Sequence, residues 1–258
     1  MDVNNTILKI EDLSKSFGAL KAVNKVSLQF KKGVVHAIIG PNGAGKTTLI
    51  NLLSGELQPS EGSIHFKGRD LTHAPPNEIS QLGIGRSYQK TNIFPQFTNL
   101  QNCFIASQSR LKSSMRFFSS AHRAKAVMQR AEKALEMTHL SHRKERVASL
   151  MSYGEQRQLE IAMMLATEPE LMLLDEPLAG MGSEEAIKIL ELLKDLAKTH
   201  TLILIEHDMD AIFAIAEQLT VMVNGVVLET GTVSQIRCSQ AVQEVYLGVE
   251  EEGTCTQL

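Results

Sequence analysis

The run Gly40-Pro41-Asn42-Gly43-Ala44-Gly45-Lys46-Thr47 constrains this chain more than any other feature, because it satisfies the pattern GxxxxGK[ST] in full. It follows the apolar run Val34 to Ile39 and precedes a helix-forming run, Thr47 to Leu53, that ends near Gly55. A strand, a tight loop and a helix are therefore expected in succession. Glycines let the backbone curl closely around an anion, so that successive N–H groups and the positive end of the helix point at phosphate oxygens. Lys46 adds a point charge for the β- and γ-phosphates, Thr47 offers a hydroxyl to Mg²⁺, and Thr48 follows on the same turn. The loop implies a nucleoside triphosphate with Mg²⁺ and leaves open which class of phosphate-handling protein it serves.

Short β-type runs alternate with helical patterns beyond the loop: Leu171 to Leu174, Ala186 to Ala197, Thr201 to Glu206, Met209 to Ala216 and Leu219 to Val223. That order predicts an α/β fold with a largely parallel sheet. The strand-like runs Leu8 to Ile10, Val26 to Phe30 and Ser63 to Phe66, the last after the turn Pro59-Ser60-Glu61-Gly62, predict an antiparallel β flap. Between Ser119 and Leu140, Ala124, Val127, Met128, Ala131 and Leu135 recur at spacings of three and four, the mark of a helical insert. Asn224-Gly225 between two apolar runs predicts a two-residue hairpin, and the polar run Gly248 to Leu258 a frayed tail.

With 258 residues, 43% of them hydrophobic, the chain has material for a sizeable core. Its longest apolar stretches fall far short of the roughly 20 residues that span a bilayer. The opening residues carry no basic region followed by an apolar one, so no secretory signal is expected and the cytoplasm is the default compartment. Cys103, Cys238 and Cys255 lack metal-ligand spacing and are expected as reduced thiols. The net charge of −3 is uneven, since residues 106–146 hold ten Lys and Arg against three Asp and Glu. Few aromatics interleave there, so a solvated helical face is expected and no nucleic acid partner.

Two further runs carry chemistry. Leu171-Met172-Leu173-Leu174-Asp175-Glu176 is an apolar strand ending in two carboxylates, Asp175 suited to water-mediated Mg²⁺ coordination and Glu176 to the general base that activates a water. About twenty residues upstream, Ser152 and Glu155 of Leu150-Met151-Ser152-Tyr153-Gly154-Glu155-Gln156-Arg157 form an S-x-x-E capping box. Such a helix start is a structural cap or, through its free N–H groups and dipole, a second phosphate-binding surface.

Set immediately before the Asp-Glu strand, that run resembles the LSGGQ-type signature of ABC ATPases. The resemblance spans about Leu8 to Gly248, with every motif in family order. It implies a P-loop NTPase (ABC ATPase) core with an N-terminal antiparallel β flap and an inserted α-helical subdomain at about 90–165, within a single domain over 1–248, followed by a polar tail at 249–258. It further implies that ATP is bound by Gly40, Pro41, Asn42, Gly43, Ala44, Gly45, Lys46, Thr47 and Thr48, and that Ser152, Gly154 and Glu155 meet ATP held by a partner subunit. Phe17 matches the aromatic on which adenine stacks, a core position in the flap being the alternative. Gln89, in Gly83-Ile84-Gly85-Arg86-Ser87-Tyr88-Gln89, matches the Q-loop that senses Mg²⁺ and water, and His207 the switch histidine near the γ-phosphate. Glu176, His207 and Gln89 are thus the expected catalytic set, with Thr47, Gln89 and Asp175 around Mg²⁺.

Three departures stand out: Tyr153 replaces a signature glycine, Glu155 replaces its glutamine, and Gly182 stands where many relatives have the D-loop Asp. A split phosphate cage implies two chains sandwiching two ATP molecules, as a homodimer or a heterodimer. In the family, the segment of about Lys90 to Ala106 receives the permease, and the apolar Ile93, Phe94, Pro95 and Phe97 suit that contact. The run Gly83 to Gln89 followed by Asn92-Ile93-Phe94-Pro95, the Ser-Tyr-Gly-Glu-Gln signature, Ala179-Gly180-Met181 and Val245-Tyr246-Leu247-Gly248 look most like importers of branched-chain or other hydrophobic amino acids. That type implies transmembrane permease subunits, a substrate-binding protein and a place on the inner face of the cell membrane. An exporter ATPase of the lipopolysaccharide type and a soluble ATPase of the iron–sulfur assembly type stay open as alternatives.

Overall fold

The computed structural model describes residues 5–88, 92–110 and 121–247. These fall into two compact units, one built from residues up to 74 and from 201 onward, the other from residues 75–200. The run Gly248 to Leu258 lies outside the described residues.

In the first unit, β1 (Thr6–Phe17) and β2 (Leu20–Lys31) pair antiparallel. After β3 (Val35–Ile39) and α1 (Lys46–Leu53), β4 (Glu61–Phe66) pairs with the other edge of β1, and β5 (Arg69–Asp70) closes the order β2-β1-β4-β5. This is the antiparallel flap, and its first two strands run longer than the apolar pieces suggest. Register shifts around the positive-φ residues Asp12 and Lys25 interrupt the alternation of buried and exposed positions, so the sequence pattern shows only fragments of each strand.

The second unit begins with α2 (Pro76–Leu82) and β6 (Ile84–Arg86), neither of which the sequence pattern marks. It continues with α3 (Asn99–Gln108), α4 (Ala121–Met137), α5 (Tyr153–Leu165), β7 (Leu171–Asp175) and α6 (Ser183–Ala197). β7 runs parallel to β6, and all five of its residues are buried. α4 is the predicted insert helix, and its buried stripe is Val127, Ala131, Ala134 and Leu135. Ala124 and Met128 are exposed, although each stands seven residues before a buried residue, Ala131 and Leu135, on the same side of the helix; the buried stripe begins only at Val127.

The chain then returns to the first unit through β8 (Thr201–Ile205), α7 (Met209–Ile215), β9 (Gln218–Val223) and β10 (Val226–Thr232), followed by α8 (Val233–Arg237) and α9 (Gln240–Leu247). β3 pairs parallel with both β8 and β9, which buries its whole length, and β10 turns back antiparallel on β9. The hairpin turn is Asn224-Gly225, with φ of 50° and 81°, as the dipeptide predicts.

Candidate active site

In the first unit the glycine-rich loop joins the end of β3 to α1. Gly45 caps α1 at φ 95°, and a Cβ there would stand 2.2 Å from the Ala22 carbonyl oxygen, so this position requires glycine on both counts. Lys46 is buried, and its ammonium donates to the carbonyls of Gly40 at 2.7 Å and Pro41 at 3.0 Å. The β9–β10 turn supports the loop from outside: the Gly225 N–H donates to the Ala44 carbonyl at 3.1 Å. Pro41, Asn42, Gly43 and Thr47 face solvent. A ring of exposed loop atoms around a buried cation at a helix start is an anion cradle.

Two more predicted residues belong to this unit. Phe17, at the tip of the β1–β2 hairpin, is 47% exposed with the Lys15 ammonium 5.3 Å from its ring centroid. A core role in the flap is thereby excluded, and an aromatic face is left for stacking. His207 follows β8 with a side chain 69% exposed, its backbone N–H donating to Glu206 Oε2 at 3.2 Å, while Asp208 caps α7 through the Ala211 N–H.

In the second unit, β7 delivers Asp175 with only 1% of its surface exposed, and Glu176 follows at φ 48°, a left-handed turn that breaks the strand. One buried guanidinium holds this turn in place. Arg157 Nη2 donates to the carbonyls of Asp175 at 3.2 Å and Glu176 at 3.4 Å, Nε donates to that of Pro177 at 3.4 Å, and Nη1 donates to the Tyr88 carbonyl and to Glu160 Oε2. Glu160 in turn accepts from the Tyr88 N–H at 3.0 Å and hydrogen-bonds backbone at Asn92. Burial pushes the Glu160 carboxyl above its usual range, and Arg157 opposes that rise. Sequence reading missed this pair: an Arg and a Glu three apart on a helix match no motif, and their partners are mostly backbone. Gln89, between Tyr88 and Asn92, lies outside the described residues.

The α5 start has the predicted capping box. Ser152 Oγ accepts from the Glu155 N–H at 3.3 Å, and Glu155 Oε2 accepts from the Ser152 N–H at 3.0 Å. The Gly154 N–H donates to Glu185 Oε1 at 3.3 Å, and a Cβ on Gly154 would sit 2.9 Å from that carboxyl group. Tyr153 is exposed, with its ring beside Gly180. Gly182 caps α6 with no side-chain bond, and Glu184 and Glu185 in the first turn complement the helix dipole instead.

The described residues contain no group of three or more His, Cys, Asp or Glu side chains able to hold a metal. Mg²⁺ seldom uses such a cage: it takes one or two protein oxygens and completes its shell with water and phosphate. An exposed Thr47 hydroxyl and a buried Asp175 carboxylate are hard oxygen donors of the kind it accepts.

The family described as ABC transporter matches residues 23–179. The chain belongs to the ABC transporter family. It is 36% identical over 255 residues to the high-affinity branched-chain amino acid transport ATP-binding protein LivG of Salmonella typhimurium, covering 95% of this chain and 99% of the relative. Its fold is similar to the ADP conformation of an ATP-binding cassette of an ABC transporter, with TM-score 0.82 and 32% identity over 94% of this chain and 99% of that one. A dimeric ATP-binding cassette in a post-hydrolysis state with ADP and Pi matches with TM-score 0.73 and 25% identity, over 88% and 98% of the two chains.

As an ABC ATPase, the chain has a nucleotide cradle in its first unit and the signature and acidic strand end in its second. No helix among the described residues is long and apolar enough to cross a membrane.

The loop that leads into α3 carries an exposed aromatic pair. Phe94 and Phe97 stack with centroids 5.6 Å apart, both more than 40% exposed, and Pro95 beside them is exposed too. The buried Asn102 fixes this loop by accepting from the Phe94 N–H at 2.8 Å and donating to the Phe94 carbonyl at 3.1 Å. Backbone bonds from Ala148 to Phe97 and from Ser149 to Pro95 join the loop to the segment that leads into Ser152. Thr98 and Gln101 cap α3 reciprocally, a T-x-x-Q signal that would have located this helix from sequence.

Proposed function

We propose that this ATPase energises uptake of branched-chain or other hydrophobic amino acids through a separate permease, working at the inner face of the membrane with a second ATP-binding subunit and a substrate-binding protein. The observation that carries this reading is the 36% identity to LivG over 95% of the chain, which takes in the motifs and the segments between them. The exposed Phe94 and Phe97 on a pinned loop supply an apolar contact of the kind a permease helix would cover.

On this reading Gly40, Pro41, Asn42, Gly43, Ala44 and Gly45 wrap the phosphates with backbone N–H groups. The Lys46 ammonium transfers from the Gly40 and Pro41 carbonyls to phosphate oxygens. Thr48 adds a contact in the same turn, and Phe17 stacks on the base. Thr47, Asp175 and Gln89 would hold Mg²⁺, whose charge offsets the crowded oxygens when bound. Glu176 accepts a proton from the attacking water as that oxygen bonds to the γ-phosphorus and the bond to the ADP oxygen breaks. His207 holds the γ-phosphate side of the pocket.

The signature completes the cage from the partner subunit. Ser152 Oγ spends a lone pair on its capping bond, so its hydroxyl hydrogen is available to a phosphate oxygen. Gly154 exchanges the Glu185 carboxylate for phosphate. Closure is then driven by contacts made to the γ-phosphate and released when it leaves.

The test is uptake of radiolabelled leucine, isoleucine and valine by cells lacking this chain. Uptake should be lost, restored by the wild-type chain and not restored by Glu176→Gln. Unimpaired uptake of all three would overturn the substrate assignment.

A further inference from the structure

We infer that Arg157 and Glu160 together form a positioning clamp that sets Glu176 for catalysis and ties it to both flanks of Gln89. This rests on the catalytic role given to Glu176 above. Three observations converge on it. The guanidinium is 2% exposed and divides its donors between two groups of acceptors, the consecutive carbonyls of Asp175, Glu176 and Pro177 on one side and the Tyr88 carbonyl with Glu160 on the other. Glu160 bonds backbone at Tyr88 and at Asn92, one residue before Gln89 and three after it. Both side chains stand on the first two turns of α5, the helix that begins at the signature residues Ser152 and Gly154.

The geometry explains why an arginine is needed. Glu176 occupies a left-handed conformation at φ 48°, unfavourable for a residue with a Cβ, so something outside its own turn has to hold it. A planar, five-donor guanidinium can reach three successive carbonyls and still pair with a carboxylate, whereas an ammonium is a single point of charge. Glu160 fixes the plane of that guanidinium and keeps the buried charge neutralised. Any rotation of the signature helix therefore moves Arg157, and with it the backbone that carries Glu176. The clamp links signature engagement to the setting of the attacking water.

The test compares Arg157→Lys, Glu160→Gln and Glu176→Gln in the purified full chain, following kcat and KM for ATP alongside the thermal midpoint. Arg157→Lys keeps the charge beside Glu160 and loses the fork; Glu160→Gln keeps the shape and loses the charge, and carries the test if the lysine variant does not fold. In both, KM for ATP should stay within about twofold of wild type while kcat falls by on the order of 10- to 100-fold, as misplacement of a reacting group by about an ångström produces. A purely structural role would lower the thermal midpoint and leave kcat per folded molecule at the wild-type value, and that result would overturn the clamp. Wild-type turnover in Glu176→Gln would instead overturn the role of Glu176 itself, which distinguishes failure of the underlying reading from failure of the clamp.

Discussion

The Lys46 ammonium donates to the Gly40 carbonyl at 2.7 Å across the curl of its own loop, so the cation that meets phosphate is also the internal tie of the cradle. Lys46→Met keeps the apolar stem and removes the charge. Charge-assisted hydrogen bonds contribute roughly 1.5–3 kcal/mol, so ATP affinity should fall about 10- to 100-fold in a fluorescent-nucleotide titration. Unchanged affinity would exclude Lys46 from the nucleotide site.

Ser152 combines a structural duty with a proposed functional one, and two substitutions separate them. Ser152→Ala removes the cap and should destabilise the fold by about 1 kcal/mol. Ser152→Asp keeps a capping oxygen but sets a negative charge against the partner's nucleotide. Its thermal midpoint should match wild type while ATP-dependent dimerisation, followed by light scattering, is lost. Dimers of Ser152→Asp that form as readily as wild type would leave Ser152 with the cap alone.

Phe94 and Phe97 contribute little to the core, being exposed on a loop that Asn102 holds through backbone groups. Replacing both by Ala should leave folding and the ATPase rate of the purified chain unchanged and abolish amino acid uptake in cells. Normal uptake would show that the permease docks elsewhere.

His36 gives the first unit an acid limit. Burial pushes its pKa down to about 4 from 6.5, with the ring 2.8 Å from Thr220 Oγ1 and edge-on to Phe30 at 4.7 Å. The fold favours the neutral ring, so this contribution is intact above pH 6.5. It is lost as pH falls from 6.5 to about 4, because the unfolded chain takes up the proton first. Between pH 7 and pH 5 the loss should be about 2 kcal/mol. Urea unfolding of His36→Gln should show that much less dependence on pH, and an identical pH dependence would contradict the assignment.

Much of this was legible in the sequence because the relevant signals are local. The GxxxxGK[ST] loop fixes its own helix start, Asn224-Gly225 fixes its own turn, and Ser152 with Glu155, three residues apart, caps its own helix. The flap strands were only partly legible because bulges at Asp12 and Lys25 break their alternation. β6 is three residues long and has no period to read. Arg157 and Glu160 were invisible for a different reason: what they recognise is the backbone at Tyr88, Asn92, Asp175, Glu176 and Pro177, and backbone groups are the same whatever the residue.

The central claim is that Glu176 activates the water that attacks ATP within a dimer. Glu176→Gln, incubated with ATP and Mg²⁺ and followed by phosphate release together with light scattering, tests it most directly. The variant should bind ATP with wild-type affinity, release no phosphate and accumulate as a dimer. Phosphate release at the wild-type rate would contradict the claim.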